Sequence, residues 1–563
     1  NDATASFGDI KTAAKLIRRA KRRCRPLCWQ AWWWASRSVA TLLAVYALMA
    51  CWLAGVKPTI ATDYLAKLNE PLARVPEADR AWPLYVEALE PLYRNPLRED
   101  AEPPTHNYWE PDWEQLDESR IDAWLDARQD LVKRFRSAAA KPSMGATLGP
   151  DGAEHDHRRL LALRAEAIGV ELNAAETDPN APTYSILLPH VQEMRSVARV
   201  LQQDAVAAAR RGDRETFVAD ITAMLGVAKH AGQAADFLVA GLVRVAVQRM
   251  AIETLTEQMQ TNPGLLTSDD LTRLAHAFAA IEYPADRWLD GERIMFRDMV
   301  QRVYSDDGDG DGFLTAEGVR WLRELSSSLS GDPVQAIETQ IPGALAAAAP
   351  AFYLAAASRR EVLAAFDRFH AAALADATRP LWQWEHRKGA ASHFFDGSIF
   401  STPTQRLRFY PVGMLAPAVR AASQAFHRSL ARRDGVLVGL ALELYRRDQG
   451  HYPDTLEELS PRWLPKAPVD PINGGPLGYR ITGGKPVVYS LGIDTDDDGG
   501  RLPAYMNDAE NESLGFSTTD RYRVGPPLTQ EELTKPRPNG DIGHDGDWVL
   551  WSLAEPSFVP RGD

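Results

Sequence analysis

The sequence predicts a mainly α-helical protein with an N-terminal transmembrane helix, a helical-hairpin body that contains one EF-hand-like loop, and a small C-terminal α+β domain. Three observations support this prediction. A long uncharged run follows a basic N-terminus, apolar residues recur at three-to-four spacing through most of the chain, and short strand-like segments follow near the C-terminus. The chain of 563 residues is divided accordingly into a basic segment (1–37), the membrane helix (38–56), the helical region (57–409) and the α+β domain (410–563).

Charge is unevenly distributed along the chain. Residues 1–56 hold nine basic and two acidic groups, a net charge of +7, whereas the whole chain carries −13 at neutral pH, which leaves −20 on the rest. Because phosphates need a basic surface, the acidic body argues against a nucleic-acid partner. The apolar share of 45% and the charged share of 25% are ordinary for a folded chain, so extensive disorder is not expected.

The uncharged run over 38–56 is the predicted membrane helix. Its 19 residues, SVATLLAVYALMACWLAGV, are close to the ~20 that cross a hydrocarbon core of about 30 Å. Four tryptophans on its basic side suit the headgroup zone: Trp29, Trp32, Trp33 and Trp34. Because basic flanks stay in the cytoplasm, we expect a single-pass protein of the cytoplasmic (inner) membrane, with its N-terminus inside, its body outside, and the lipid bilayer around 38–56.

Alternatives to this anchor remain open. The box from Leu48 to Cys51 approximates a bacterial lipoprotein cleavage site with Cys51 as the lipidated residue, and the run is also compatible with a buried helix of a soluble domain. A second uncharged stretch, 339–358, is a weaker candidate span because it is mostly alanine and contains two prolines. The three cysteines are Cys24, Cys28 and Cys51, so the region after the anchor has no disulfides.

The body between the anchor and residue 409 has the pattern of stacked helical hairpins. The helical signal is strongest from Leu188 to Ile281, where a turn at Arg211-Gly212-Asp213 lets Gly end one helix and Asp cap the next. No repeat is strict enough to name a repeat family. Helical stacks of this kind serve as scaffolds or binding surfaces, and plain core packing is the alternative reading.

The stretch DGDGDGFLTAEG, Asp307 to Gly318, follows an EF-hand calcium loop for eleven positions and departs from it at the twelfth. The candidate Ca²⁺ ligands are Asp307, Asp309, Asp311, the Phe313 carbonyl, Thr315 and Glu317. Gly312 stands at the position that is expected to adopt an unusual backbone angle. The missing twelfth-position Glu lowers the expected affinity, and an empty Asp/Gly turn is the alternative.

The C-terminal region has a different pattern. A long helix is predicted from Met414 to Gln449, followed by a short helix and two strands, GYRIT and PVVYSL, joined by Gly483-Gly484. A last strand is predicted around Trp548 to Trp551. Before it lies an acidic group that is either a second calcium site or a solvated loop. Its candidate ligands are Asp494, Asp496, Asp498 and Asp541, with Asp497, Asp545 and Asp547 nearby.

This order resembles the globular part of the major pseudopilin of type II secretion systems. The resemblance rests on four stretches: the Ala-Leu-x-x-Tyr-x-x-Asp-x-Gly-x-Tyr-Pro run from Ala441 to Pro453, Asp470-Pro471, the Ser-Leu-Gly-x-Asp run from Ser490 to Asp494, and Asp541-Ile542-Gly543. It implies calcium bound between the Asp494 loop and the Asp541 element, and partners in the secretion machinery or cell envelope. It covers about 150 of the 563 residues and lacks the family's Gly-Phe junction, so filament assembly is not implied. The whole chain resembles bacterial single-pass membrane-anchored proteins of no assigned activity.

The sequence favours a membrane-anchored extracytoplasmic scaffold or interaction protein with calcium-stabilised loops. The alternative is an extracytoplasmic hydrolase with His155, Asp156 or His157 in its active site. These residues lie at a predicted helix start, where acidic side chains also suit the positive end of the helix dipole. The chain contains no nucleophile elbow, HExxH, phosphate loop or CxxC motif, so no catalytic residue is assigned.

Overall fold

The structure describes most of the chain. The computed structural model describes residues 55–94, 116–169, 188–328, 356–383, 408–466, 468–470, 473–491, 497–501 and 547–554, together with isolated positions elsewhere. Cys24, Cys28 and Cys51 lie outside these residues, as does most of the candidate second span over 339–358.

The described residues are mainly helical, with one small sheet. The first helices are α1 (Tyr64–Ala73), α2 (Trp82–Arg94), α3 (Glu118–Asp126), α4 (Gln129–Ala139), α5 (Ala153–Ile168), α6 (Pro189–Arg210) and α7 (Arg214–Gln233). They are followed by α8 (Leu238–Thr261), α9 (Ser268–Ala279), α10 (Ala285–Val303), α11 (Ala316–Ser328), α12 (Arg359–Thr378) and α13 (Tyr410–Gln449). Three strands, β1 (Gly478–Thr482), β2 (Lys485–Ser490) and β3 (Trp548–Ser552), form an antiparallel sheet in the order β1-β2-β3.

The predicted transmembrane helix over 38–56 is wrong. Among the residues that the structure describes, no helix combines the length and the apolar character that crossing a bilayer requires. A span needs about 20 consecutive, predominantly apolar residues in one helix. Within 38–56 the described helical positions are 38–42, 44, 45, 48 and 55, which is fewer consecutive residues than a span requires. An uncharged run was therefore not enough to predict a spanning helix.

Two compact units make up the chain, one of residues 1–60 with 301–361, and one of residues 61–300 with 362–563. In the larger unit, α6, α7 and α8 pack against one another in chain order. The predicted turn between α6 and α7 is present: Gly212 has a φ of 72°, and the Asp213 side chain accepts a hydrogen bond from the Thr216 amide at 3.2 Å. This turn is the link that returns the chain and allows the two helices to pack.

The helix α13 organises the C-terminal part of the larger unit. It packs on α8 and α9 and carries the sheet through β3. Gly439 makes this close approach possible, because a Cβ atom there would lie 2.2 Å from the Trp551 ring. Val436 and Leu440 of α13, Trp551 of β3 and Leu255 of α8 belong to one buried apolar cluster. The predicted boundary at 409/410 thus lies inside a unit whose core combines both regions.

Candidate functional site

The loop between α10 and α11 folds as a short hairpin. Tyr304 and Leu314 form an antiparallel bridge, and the Ser305 amide donates to the Phe313 carbonyl at 3.0 Å. The Asp307 amide donates to the Asp311 carbonyl at 2.8 Å and closes the tip. The Phe313 carbonyl, a predicted calcium ligand, is therefore already an acceptor within the hairpin.

The glycines of this hairpin do not have the conformations expected of a calcium loop. Gly308 and Gly310 have φ values of 93° and 84°, whereas Gly312, the position expected to be unusual, is not in the left-handed region. Glycine is nevertheless required at 312, because a Cβ atom there would lie 2.1 Å from the Ser305 carbonyl oxygen. Close approach of two backbones, not a left-handed turn, explains this residue.

The aspartates of the loop are held by backbone amides and by two arginines. Asp307 Oδ1 accepts from the amides of Asp309 and Asp311 at 2.9 and 3.0 Å. Asp306 pairs with the Arg359 guanidinium, and Asp311 Oδ1 accepts from the Arg360 amide at 3.1 Å. Hydrogen bonding from the Gly308 amide and then from Arg359 lowers the pKa of the Asp306 carboxyl.

The remaining predicted ligands of this loop, Thr315, Glu317 and Asp309, differ in their contacts. Thr315 is buried and begins α11: its hydroxyl donates to the Val303 carbonyl at 2.9 Å and accepts from the Gly318 amide at 2.9 Å. Glu317 is exposed in the first turn of α11. The Asp309 side chain makes no hydrogen bond or ion pair within the described residues. Nowhere in the described chain do three or more His, Cys, Asp or Glu side chains converge as a metal site, and the calcium prediction for this loop stays a prediction.

The second predicted acidic site is only partly described. Asp494, Asp496, Asp541 and Asp545 lie outside the described residues. The described members are engaged in the fold, and they are Asp497, Asp498 and Asp547. Asp497 Oδ1 accepts from the Tyr489 hydroxyl and the Gly499 amide, both at 2.9 Å, and the buried Asp547 accepts from the Gly500 amide at 2.6 Å. The Asp498 carbonyl accepts from Arg501 Nε at 2.9 Å.

Two of the stretches that carry the pseudopilin resemblance meet in space. The buried Asp470 carboxylate accepts from the Ser490 hydroxyl at 2.8 Å and from the Leu491 amide at 3.0 Å. The Asp-Pro turn is thus connected to the start of the Ser-Leu-Gly run. This contact fixes the end of β2, from which the acidic loop departs.

The three candidate hydrolase residues differ in their surroundings, although His155 Nδ1 lies 3.8 Å from the Asp156 carboxylate. His155 is 63% exposed, while the Asp156 carboxylate accepts from the Trp82 indole N–H at 2.8 Å. His157 is mostly buried, with its Nδ1 atom 3.7 Å from Glu193, which also accepts from the Tyr93 hydroxyl. Neighbours at the start of a helix therefore do not form a shared acid–base site.

His157 belongs to a set of three interior histidines that contact α2. Edge-to-face contacts join Trp82 to His190, Tyr85 to His230, and Tyr93 to His157, with ring centroids 5.8, 5.8 and 6.5 Å apart. Burial lowers the pKa of each of these histidines to about 4. They are neutral packing groups at neutral pH, because the interior disfavours the charged imidazolium.

A second charged constellation lies at the end of α13, and we call Glu443, Arg446 and Arg447 the fork. Glu443 is 4% exposed. Its Oε1 atom accepts from Arg446 Nη2 at 2.6 Å and from Arg447 Nε at 2.9 Å, and its Oε2 atom accepts from Arg446 Nε at 2.9 Å. Burial alone would raise the pKa of Glu443, but the hydrogen bonds from the two arginines outweigh it and lower the pKa. The fork is therefore a carboxylate that fixes two guanidinium groups.

The fork was missed at the level of sequence, although it has a local signal. Positions 443, 446 and 447 follow the i, i+3, i+4 spacing that places side chains on one helix face. The third cation nearby, Lys485, lies at the start of β2 and has no such signal, because its position depends on the hairpin.

Comparisons of the chain with protein-family models, with curated proteins and with solved structures give no match.

Proposed function

We propose that the protein is a helical scaffold or interaction protein that acts outside the cytoplasm and that calcium further stabilises its 307–318 loop. The observation that supports this is the charge of the hairpin. Asp306, Asp307, Asp309 and Asp311 face two arginines, so the closed tip keeps negative charge that a divalent cation would neutralise. Weak sites fill at the calcium concentrations found outside cells, with Kd values of about 10⁻⁴ to 10⁻³ M.

The geometry of the 307–318 loop favours a structural role over a catalytic one. Arg359 and Arg360, at the start of α12, bind the loop at Asp306 and at the Asp309 carbonyl, so the hairpin connects segments that are far apart in sequence. The resemblance to pseudopilins supports partners from the envelope or the secretion machinery. The test of that partner class is purification from a native host. Envelope proteins that co-purify would support it, and purification of the protein without them would contradict it.

The calcium proposal is tested by thermal unfolding of the full chain with added calcium. Occupation of a site with this range of Kd is expected to raise the free energy of unfolding by about 0.4–1.4 kcal/mol at 1 mM calcium. Asp309→Asn should abolish the gain, because it removes a carboxylate that makes no structural hydrogen bond. Asp151→Asn, a change at an exposed aspartate outside the loop, is the matched control. Equal gains in all three proteins would show that calcium acts elsewhere.

A further inference from the structure

A cavity of about 270 Å³ opens beside the fork, between the end of α8, the end of α13 and the β1–β2 turn. Its charged lining consists of Arg446, Arg447 and Lys485 with the single acid Glu443, a net charge of +2. This is unusual in a chain whose overall charge is −13. We propose that this cavity binds a small ligand through a dianionic oxyanion group, either a phosphate monoester or a dicarboxylate.

The two guanidinium groups are positioned before any ligand arrives. Glu443 holds both, and Arg447 Nη1 also donates to the Leu266 carbonyl at 2.8 Å. Within the described residues, Arg447 Nη2 donates to no protein group, whereas the Arg446 guanidinium also contacts the Tyr452 side chain in the cavity wall. Planar guanidinium groups with free N–H donors suit phosphate and carboxylate oxygens. Because their orientation is fixed, little conformational entropy is lost on binding.

Lys485, at the start of β2, provides a third cation in the lining of the cavity. It is half-buried, and its ammonium group makes no hydrogen bond or ion pair within the described part of the chain. An ammonium group on a flexible stem can follow an oxyanion that the arginines orient. Its charge brings the net charge of the cavity lining to +2, which matches a dianion better than a monoanion.

The rest of the lining limits the size and body of the ligand. Pockets for drug-sized molecules usually hold about 300–1,000 Å³, so this cavity fits a smaller compound. The apolar part of its wall includes Met259, Leu266 and Leu553. Another part is formed by the amide side chains of Gln258, Gln260 and Asn262. A short carbon body that carries hydroxyl groups would be complementary to this wall.

A second cavity in the same unit shows that the charge is specific to this one. It has a volume of about 490 Å³ and its charged lining residues are Asp454 and Glu457. A cavity with acidic lining repels an oxyanion, although it is larger. The proposal therefore rests on the charge and the donors, not on the existence of a cavity, and it does not depend on calcium at the loop.

The test is isothermal titration calorimetry on the full chain with inorganic phosphate, glycerol 3-phosphate, succinate and acetate at constant ionic strength. We expect one site, with phosphate compounds or succinate bound more tightly than acetate; which of the two binds more tightly identifies the ligand class. Lys485→Gln should weaken binding about tenfold, as expected for one charge-assisted contact. Lys466→Gln, at an exposed lysine outside the cavity, should leave it unchanged.

Because Lys485 takes no part in the fork, Lys485→Gln is expected to fold normally, and an unchanged melting temperature without ligand verifies this. No binding by the unmodified protein at millimolar ligand would overturn the proposal. So would equal weakening by both lysine variants, which indicates diffuse attraction, or no weakening by Lys485→Gln. Acetate affinity equal to that of phosphate and succinate would overturn the assignment of a dianion.

Discussion

The hairpin over 305–313 and the fork at the end of α13 carry opposite charge: the hairpin has an excess of carboxylates, and the fork region has an excess of cations. In the hairpin, an excess of carboxylates lies on an exposed turn, and two arginines and several backbone amides compensate for part of it. In the fork, one buried carboxylate holds two arginines, and Lys485 adds to the positive excess. The hairpin therefore attracts a cation and the fork attracts an anion.

The difference shows why local composition alone does not identify a site. The hairpin is the more conspicuous in sequence, yet its predicted ligands are divided among amides, a helix start and solvent. The fork consists of three of the charged residues of the 40-residue helix α13, and these three are fixed beside a cavity. Preorganised donors next to an accessible volume support binding better than a dense cluster of like charges.

The largest expected effect is a loss of stability at acidic pH, and it comes from the buried histidines and not from the hairpin or the fork. Burial lowers the pKa values of three histidines to about 4: His157, His190 and His230. Their contribution to the free energy of unfolding should therefore be fully present above pH 6.5 and be lost as the pH falls towards 4. The loss should be on the order of 10 kcal/mol in total once the pH is below 4, because the three unfolded histidines bind protons that the folded ones do not. Urea unfolding at a series of pH values measures it.

The matched variants for this acid transition are His230→Gln and His155→Gln. The first removes a buried titrating group and should flatten the pH profile, whereas the second changes an exposed residue and should leave it as it is. A profile that is flat between pH 7 and 4.5 in the unmodified protein would contradict the role given to the interior histidines. Loss of the Glu443 contribution is expected only at lower pH, because the pKa of this carboxyl is lowered.

The next effect in size is that of Glu443→Gln. The change leaves two guanidinium groups without their carboxylate, and should lower the free energy of unfolding by about 2 kcal/mol. The value is below that for a fully buried pair because the Arg446 and Arg447 side chains are 38% and 21% exposed. Glu253→Gln, which breaks the Arg249 pair on α8, should cost less than about 1 kcal/mol. If both variants lose the same free energy in urea unfolding, the fork is an ordinary surface pair.

Breaking the hairpin contact should cost less than breaking the fork. Arg359→Met removes the partner of Asp306 and should lower the free energy of unfolding by about 1 kcal/mol, since the Arg359 side chain is only 14% exposed. Arg360→Met should cost less, because its guanidinium donates to a carbonyl at an exposed site. Hydrogen exchange of the Gly312 amide checks the location of the effect. A larger loss for Arg360→Met than for Arg359→Met would reverse the roles proposed for the two arginines.

The smallest effect belongs to Asp309→Asn in the absence of calcium. Its carboxylate makes no hydrogen bond within the described residues and repels its neighbours, so its neutralisation should stabilise the protein by about 0.3 kcal/mol. Asp307→Asn should instead destabilise it, because Oδ1 of Asp307 accepts two backbone amides. Differential scanning calorimetry with chelator present compares the two. Destabilisation by Asp309→Asn would mean that this carboxylate has a structural role.

Local signals predicted the short-range features of this fold. The strand GYRIT, the Gly483-Gly484 turn and the turn at Gly212 could be predicted because each depends on neighbours in sequence. The contact of His230 with Tyr85 joins residues 145 positions apart, and that of Arg359 with Asp306 joins residues 53 apart. Such contacts leave no local pattern, so neither the histidine set nor the arginine compensation of the loop could be predicted.

One measurement tests the contrast between the two regions most directly: melting temperatures of the unmodified protein, Asp309→Asn and Lys485→Gln, each with calcium, with phosphate or with neither, at constant ionic strength. We expect calcium to stabilise every protein except Asp309→Asn, and phosphate to stabilise Lys485→Gln clearly less than the other two. If neither ion raises the melting temperature of the unmodified protein, or if both responses survive both substitutions, the opposite roles of hairpin and fork are refuted.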